Sequence, residues 1–208
     1  MVLVLGIGNL LWADEGFGVR CVEELDRRWR LEGASREGGS PTLVSIVDGG
    51  TQGLYLVDHV GSAERLLVFD AIDWGDAPGT LRVLGHHEVP RVYAADKMSL
   101  HQAGLGDVLA AAQLLGRGPS EIVVVGVQYA VLDDYGGSLS PSVAAAVQPA
   151  LALGLDRLAR WGVTATPRTD ERGALLPSSL ERGRYEAERP DETTAPRLGD
   201  PRFTRSAP

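Results

Sequence analysis

Three acidic residues stand where short apolar runs of the sequence end. Glu15 follows the run at the N-terminus, and Asp48 and Asp70 directly follow two later runs. If these runs are parallel β-strands, their carboxyl ends meet along one edge of a sheet, where open α/β proteins bind ligands. Carboxylates that share such a cleft favour a bound cation or a shared proton. The spacing therefore predicts a charged site at this edge.

His101 could complete this set, because it falls in the first turn of a helix predicted to follow the sheet. A neutral imidazole with carboxylates, and with positions left for water or substrate, suits nickel, iron or zinc. The residues also permit purely structural roles. Aspartates often cap turns and helices, and a glutamate before a helix interacts favourably with the helix dipole. The residues by themselves leave both interpretations open.

The N-terminal glycines do not make a dinucleotide site. Gly6 and Gly8 begin the G-x-G-x-x-G pattern, but Leu11 stands where the third glycine belongs. Asp14 and Glu15 would moreover repel the phosphate that a helix N-terminus attracts. Glycines of a tight turn explain the pattern better.

Other catalytic motifs are absent or incomplete. His87-Glu88 begins like H-E-x-x-H, but Arg91 replaces the second histidine and Pro90 disrupts the helix that would align the ligands. Neither a G-x-S-x-G elbow nor a phosphate-binding loop with G-K-[ST] occurs. Cys21 lies one turn before Leu25 on the apolar side of a predicted helix, so we expect it to pack in the core.

The order of elements predicts how these residues are positioned. Apolar runs alternate with helical patterns, which is typical of an α/β fold with three layers: a twisted, mostly parallel sheet flanked by helices on both faces. The predicted strands are Val2–Leu5, Thr42–Val47, Arg65–Phe69 and Glu121–Val127, with Leu81–Leu84 as an antiparallel edge strand after a Pro-Gly turn.

Helices are predicted from apolar spacing and from capping residues. The first has apolar residues three and four apart that end at Trp29. A later helix begins at Ser99, which forms a capping box with Gln102, and runs to Gly116. The last begins at Ser140-Pro141, reaches about Trp161 and is kinked or interrupted at Pro149.

The composition limits which classes of protein this chain can belong to. The 208 residues suit one domain, and a net charge of −8 with a single lysine excludes a basic nucleic-acid surface. The apolar runs are far shorter than the roughly 20 residues that cross a bilayer, so we expect no membrane span. The N-terminus does not resemble a signal peptide, and one cysteine suits a reducing compartment, so a cytoplasmic location is expected.

The composition changes after residue 166. Proline, glycine, serine and threonine become frequent and large apolar residues rare, which predicts a disordered tail over 167–208. From Glu171 onward seven arginines balance seven acids, so the negative charge belongs to the folded part. Acidic walls there would favour cations.

Four blocks of the sequence closely resemble the hydrogenase maturation endopeptidases, over a domain of about residues 1–166. The blocks are Val4-Leu5-Gly6-Ile7-Gly8-Asn9-Leu10-Leu11 continuing through Asp14-Glu15-Gly16-Phe17-Gly18-Val19-Arg20, then Asp48-Gly49-Gly50-Thr51, then Val68-Phe69-Asp70-Ala71, and finally Ser99-Leu100-His101-Gln102 with Asp107-Val108-Leu109. Their order and spacing match the family.

The resemblance implies a function. Family members remove a C-terminal extension from the large-subunit precursor of a nickel–iron hydrogenase after nickel insertion. Their nickel-recognition residues correspond to Glu15, Asp70 and His101, and the nickel is expected to arrive with the precursor. Glu15 and Asp70 would then act in catalysis, and Asp48 is a candidate for activating water.

Two other functions remain open on the sequence. A general metallopeptidase would keep its own zinc or nickel, whereas a non-catalytic nickel-sensing chaperone would hold the large subunit without cutting it. A monomer is expected in either case.

Overall fold

The computed structural model describes residues 1–35, 40–95, 104–169 and 174–189. Its main sheet has five strands in the order β3-β1-β4-β6-β5. They are β1 (Val2–Ile7), β3 (Val44–Gly50), β4 (Arg65–Ile72), β5 (Leu81–Leu84) and β6 (Glu121–Gln128). β1 is parallel to β3 and β4, and β4 is parallel to β6. β5 runs antiparallel to β6, as predicted for Leu81–Leu84.

Helices cover both faces of this sheet. α1 (Phe17–Arg28) and α5 (Pro141–Arg160) pack on one face, and α2 (Val57–Ser62), α3 (Val89–Ala95) and α4 (Leu105–Leu114) pack on the other. Alternate residues of each strand enter the two cores: Val4 joins the α1–α5 core, whereas Leu3 and Leu5 join the opposite one. Burial on both faces explains the continuous apolar runs, and the predicted three-layer α/β class is confirmed.

A second, two-stranded sheet was not predicted. β2 (Trp29–Gly33) pairs antiparallel with β7 (Val163–Pro167). Trp29 continues the apolar spacing of α1, but its backbone is extended because it pairs with Pro167 of β7. The pairing partner lies far along the chain, so local periodicity could not reveal it.

The helix boundaries agree only in part with expectation. α5 ends at Arg160, and the described helix continues through Pro149 without a break. α4 begins at Leu105 with Gly104 as its N-cap, whose N–H donates to the Asp107 carboxylate at 3.1 Å. The predicted start at Ser99, together with His101 and Gln102, lies outside the described residues. Within the described ranges, no helix is both long and apolar enough to cross a membrane.

Residues 174–189 depart from the predicted disorder. They contain α6 (Arg182–Glu188), and their side chains Leu176 and Tyr185 are buried. Ion pairs one turn apart, Arg182 with Glu186 and Arg184 with Glu188, support the short helix. The polar composition of this segment predicted disorder. Two buried side chains, Leu176 and Tyr185, are enough to hold it against the rest of the protein. The boundary at residue 166 and the rest of the tail stay predictions.

Candidate active site at the carboxyl edge of the sheet

Asp48 and Asp70 lie on either side of β1. Gly6 of β1 is opposite Asp48 of β3 and, on its other side, opposite Phe69 of β4, which directly precedes Asp70. Neighbouring strands are about 4.8 Å apart, so the backbones of the two aspartates are separated by roughly 10 Å. The two acids therefore lie at one edge of the sheet, as predicted. Their side chains point to opposite faces, however, because Asp48 is level with Phe69 and side chains alternate along a strand.

Glu15 reaches the same edge in a 3-10 helix, Ala13–Gly16, that connects β1 to α1. This 3-10 helix contacts β4, the strand that carries Asp70. Gly8 has a φ of +126°, and any side chain there would collide with the backbone carbonyl of Glu15. Only glycine both tolerates this φ and allows the contact. Gly8 thus fixes where Glu15 sits.

The first turn of α1 is held against the same two strands. A side chain on Gly18 would collide with the backbone oxygens of Ile7 and Phe69, and one on Gly6 would collide with the backbone of Gly18. The glycines of the N-terminal signature therefore serve close packing of helix on sheet rather than phosphate binding. They bring the entry of α1 directly beside Asp70.

Asp70 is only 8% exposed and is held on both oxygens. Its Oδ1 accepts the N–H of Ala71 at 2.8 Å, and its Oδ2 accepts the hydroxyl of Tyr93 at 2.8 Å. Tyr93 of α3 was not predicted from the sequence. The one feature that could have indicated it is an aromatic residue with a hydroxyl group, four residues after the buried Val89.

Asp48 closes a tight turn as well as facing the edge. Its Oδ1 accepts the N–H of Gly50 at 2.9 Å, and Gly50 has a φ of +44° at a bulge beside Ile7. One oxygen of the Asp48 carboxylate therefore has the turn-capping role that the sequence also allowed. Burial raises the pKa of the Asp48 carboxyl above its ordinary range, against the Gly50 N–H and the charge of Arg20, which lower it.

Asp14 has a structural role that its neighbour Glu15 does not share. Its side chain is completely buried and accepts four hydrogen bonds: from the N–H groups of Ala130 and Val131, both 2.9 Å, and from the N–H and hydroxyl of Ser140, 2.6 and 2.9 Å. These donors lie in the loop between β6 and α5. Asp14 therefore ties that loop to the 3-10 helix that carries Glu15.

His101 lies outside the described residues. Within the described part of the chain, no three His, Cys, Asp or Glu side chains form a group that could hold a metal ion. A small cleft at the same edge is lined by Ile7, Gly50, Leu56, Gly104, Leu105 and Val108. It joins the end of β1, the Asp48 turn and the start of α4. This arrangement leaves a recess, lined mostly by apolar and glycine residues, at the edge of the sheet that carries the two aspartates.

Cys21 is a core residue, as predicted. Its side chain is fully buried in the α1–α5 core, and burial raises the pKa of the thiol well above its ordinary value. A thiol that resists ionisation and is closed to solvent cannot act as a nucleophile.

Known proteins that resemble this chain are named for hydrogenase formation or maturation. A family model described as hydrogenase maturation protease matches residues 19–157. The hydrogenase expression/formation protein HupM of Azotobacter chroococcum is 56% identical over 202 residues, which are 97% of this chain and 92% of that protein. The hydrogenase 2 maturation protease of Escherichia coli is 41% identical and covers 80% of this chain and 96% of that protein.

A solved structure of a hydrogenase maturating endopeptidase is also similar to this chain. The hydrogenase maturating endopeptidase HybD from E. coli is 40% identical, with a TM-score of 0.72, and covers 82% of this chain and 99% of that chain. Part of the present chain therefore has no counterpart in that structure, whereas the Azotobacter relative matches nearly all of it.

Proposed function

This chain belongs to the hydrogenase maturation proteases and is a peptidase, and from that premise we propose that it removes the C-terminal extension of a nickel–iron hydrogenase large-subunit precursor once nickel has been inserted. The observation that carries the proposal is the position of Glu15 and Asp70 at one sheet edge, fixed there by glycine contacts and by Tyr93. We place the reaction in the cytoplasm, as the sequence predicts.

Nickel recognition is proposed for Glu15, Asp70 and His101. Two carboxylates and an imidazole form a mixed oxygen and nitrogen set that suits nickel. Nickel belongs to the substrate in this proposal, and the three side chains would fill positions that the precursor leaves open.

Hydrolysis requires water to attack the scissile carbonyl carbon. The water oxygen bonds to that carbon, the carbon–nitrogen bond breaks, and the leaving nitrogen takes a proton. Asp48 is the proposed group that accepts a proton from the water, because a raised pKa makes a carboxylate a better base near neutral pH. Nickel in the precursor could instead polarise the carbonyl oxygen. Glu15 and Asp70 would hold the nickel beside the scissile bond in either route.

The Gly49-Gly50 turn supports binding of an extended peptide next to Asp48. Gly50 carries no side chain that would keep another backbone away, and it lines the cleft together with Thr51 and Gly53. A peptide lying there would pass the carboxylate directly.

The proposal is tested by incubating the protein with a cognate large-subunit precursor and measuring the precursor's intact mass. Loss of one C-terminal peptide supports endoproteolytic trimming, whereas stable binding without loss of mass would indicate the nickel-sensing chaperone. Metal analysis of the freshly purified protein addresses the general metallopeptidase. Stoichiometric bound zinc or nickel in the absence of precursor would contradict the view that nickel arrives with the substrate.

A further inference from the structure

Residues 174–189, here called the C-terminal segment, pack against the helix and the loop that border the candidate site. The segment's anchors are Leu176 and Tyr185, both buried. It begins after β7 and covers the start of α1 and part of the loop between β6 and α5.

Its contacts with α1 centre on Arg20, which is only 4% exposed. The Arg20 Nη1 donates to the carbonyl of Leu180 at 2.7 Å and to the Glu23 carboxylate at 2.7 Å. Glu23 in turn accepts the N–H of Arg182 at 2.8 Å, and the Arg20 guanidinium lies 5.3 Å from the ring centre of Tyr185. A buried charge with this many partners holds the segment in one place.

Its contacts with the β6–α5 loop are equally specific. The Tyr185 hydroxyl donates to the carbonyl of Gly137 at 3.3 Å, and the Ser138 hydroxyl donates to the Glu186 carboxylate at 2.7 Å. Gly137 is itself buried. The segment therefore supports this loop at Gly137 and Ser138.

The same loop also forms a partly exposed apolar ridge with the β1–α1 connection. We define the ridge as Leu11, Trp12, Val131 and Tyr135. The rings of Trp12 and Tyr135 meet edge to face at 5.2 Å, and the N–H of Gly136 donates to the carbonyl of Leu11 at 2.8 Å. Tyr135 is 48% exposed, and Leu11 and Val131 are also open to solvent. Trp12 is three residues from Glu15, so the ridge adjoins the candidate site.

We infer that this ridge is a docking surface for the folded large-subunit precursor, and that the C-terminal segment positions the ridge for that contact. The inference rests on the proposed function. A tyrosine and a tryptophan at the surface beside a proteolytic site suit a protein partner, because these residue types are enriched among those that supply most of the binding energy of interfaces. The precursor is the one partner that must approach this edge, since its own C-terminus is to be cut there.

Loss of the contacts between the C-terminal segment and the loop should affect the ridge. Without the Tyr185 contacts the Gly137 carbonyl loses a donor and the loop loses its support, while Asp14 still holds the loop at Ser140. The ridge would then be less ordered in the free protein. The entropy cost of ordering it on binding would weaken the affinity for the precursor. The cutting step itself uses Asp48 and Asp70 on the sheet and Glu15, whose 3-10 helix stays tied to Ser140 through Asp14, so it should keep its rate. The effect is expected in KM and Kd, with kcat retained.

The test measures Kd, KM and kcat for a nickel-loaded precursor with Tyr135→Ala, Tyr185→Ala and Tyr185→Phe. We expect Kd and KM to rise about tenfold in both alanine variants, with kcat within about twofold of wild type and with substantial recovery in Tyr185→Phe, which keeps the ring. Leu114→Ala is the matched control, because Leu114 is 89% exposed at the far end of α4 and should change nothing.

The outcomes separate the two proposals. Unchanged Kd and KM in Tyr135→Ala would overturn the inference, as would a fall in kcat with KM intact. If wild type binds the precursor but does not cut it, the proposed function fails while the Kd values still decide the inference. If wild type neither binds nor cuts, both are wrong.

Discussion

The hydroxyl of Tyr93 donates a 2.8 Å hydrogen bond to Oδ2 of Asp70, which joins the short helix α3 to the carboxyl end of β4. Because Oδ1 also accepts the N–H of Ala71, the plane of the carboxylate is fixed. Loss of a partner that orients a metal ligand typically costs about 10- to 100-fold in metal affinity or activity. Tyr93 is thus a positioning residue for the carboxylate proposed to meet nickel.

Replacing Tyr93 by phenylalanine should slow processing of nickel-loaded precursor by about tenfold, since Asp70 stays in place but loses its orientation. The free energy of unfolding should fall by only about 1 kcal/mol, the net value of one hydrogen bond. Steady-state processing and chemical denaturation measure the two effects. Tyr55→Phe is the control, because Tyr55 is 86% exposed. Equal activity in both variants would contradict this role.

Glu15→Gln should reduce processing by at least about 100-fold, because the variant keeps the size of the side chain but removes a charged ligand for nickel. Stability should change little, since Glu15 is partly exposed. The matched control is Glu32→Gln, whose side chain is 64% exposed in β2. Processing at the wild-type rate by Glu15→Gln would exclude this residue from the site.

Asp14→Ala should lower the free energy of unfolding by about 3 to 5 kcal/mol, because four donors that now meet a buried carboxylate would lose their acceptor. Urea denaturation measures this loss. Asp133→Ala, at an exposed position of the same loop, should be close to neutral. A stable Asp14→Ala protein would show that the loop is held by other contacts.

The strands and the edge at which Asp48 and Asp70 lie could be predicted, because each acid comes near the carboxyl end of an apolar run. The predicted strand ends were wrong, since β3 and β4 each continue two residues beyond the acid. The distinction between Asp14 and Glu15 could not be predicted. The two acids are adjacent in sequence, and only donors more than a hundred residues away show that Asp14 is structural. Trp29 and the C-terminal segment escaped prediction for the same reason, since distant partners determine their conformation.

Asp48→Asn should abolish or strongly reduce hydrolysis if Asp48 accepts the proton from water. In wild type the activity should fall on the acid side as pH drops through the raised pKa of Asp48, that is, above the usual value near 3.9 for an aspartate. The pH profile of kcat/KM measures this limb. Wild-type activity in Asp48→Asn would instead favour nickel as the group that activates the substrate, by polarising the scissile carbonyl.

The same substitution has a predictable effect on stability. A folded pKa raised above the unfolded value means that the group stabilises the fold while protonated, and that this contribution is lost as pH rises through the folded pKa. Asparagine remains neutral and can still accept the Gly50 N–H. Asp48→Asn should therefore melt no lower than wild type at neutral pH, which thermal denaturation can check.

Thiol reagents should not inactivate the native enzyme. Cys21 is fully buried and burial raises its pKa, so alkylation by iodoacetamide should be slow and processing should continue. Intact mass before and after treatment measures the modification, and Cys21→Ala should keep its activity. Rapid loss of processing on alkylation would contradict the assignment of Cys21 to the core.

The central claim is that nickel in the precursor permits cleavage through Glu15, Asp70 and His101. Its most direct test is intact-mass spectrometry of a cognate large-subunit precursor, nickel-loaded or nickel-free, after incubation with this protein. We predict loss of one C-terminal peptide from the loaded precursor and none from the nickel-free form. Equal loss from both forms would contradict the claim.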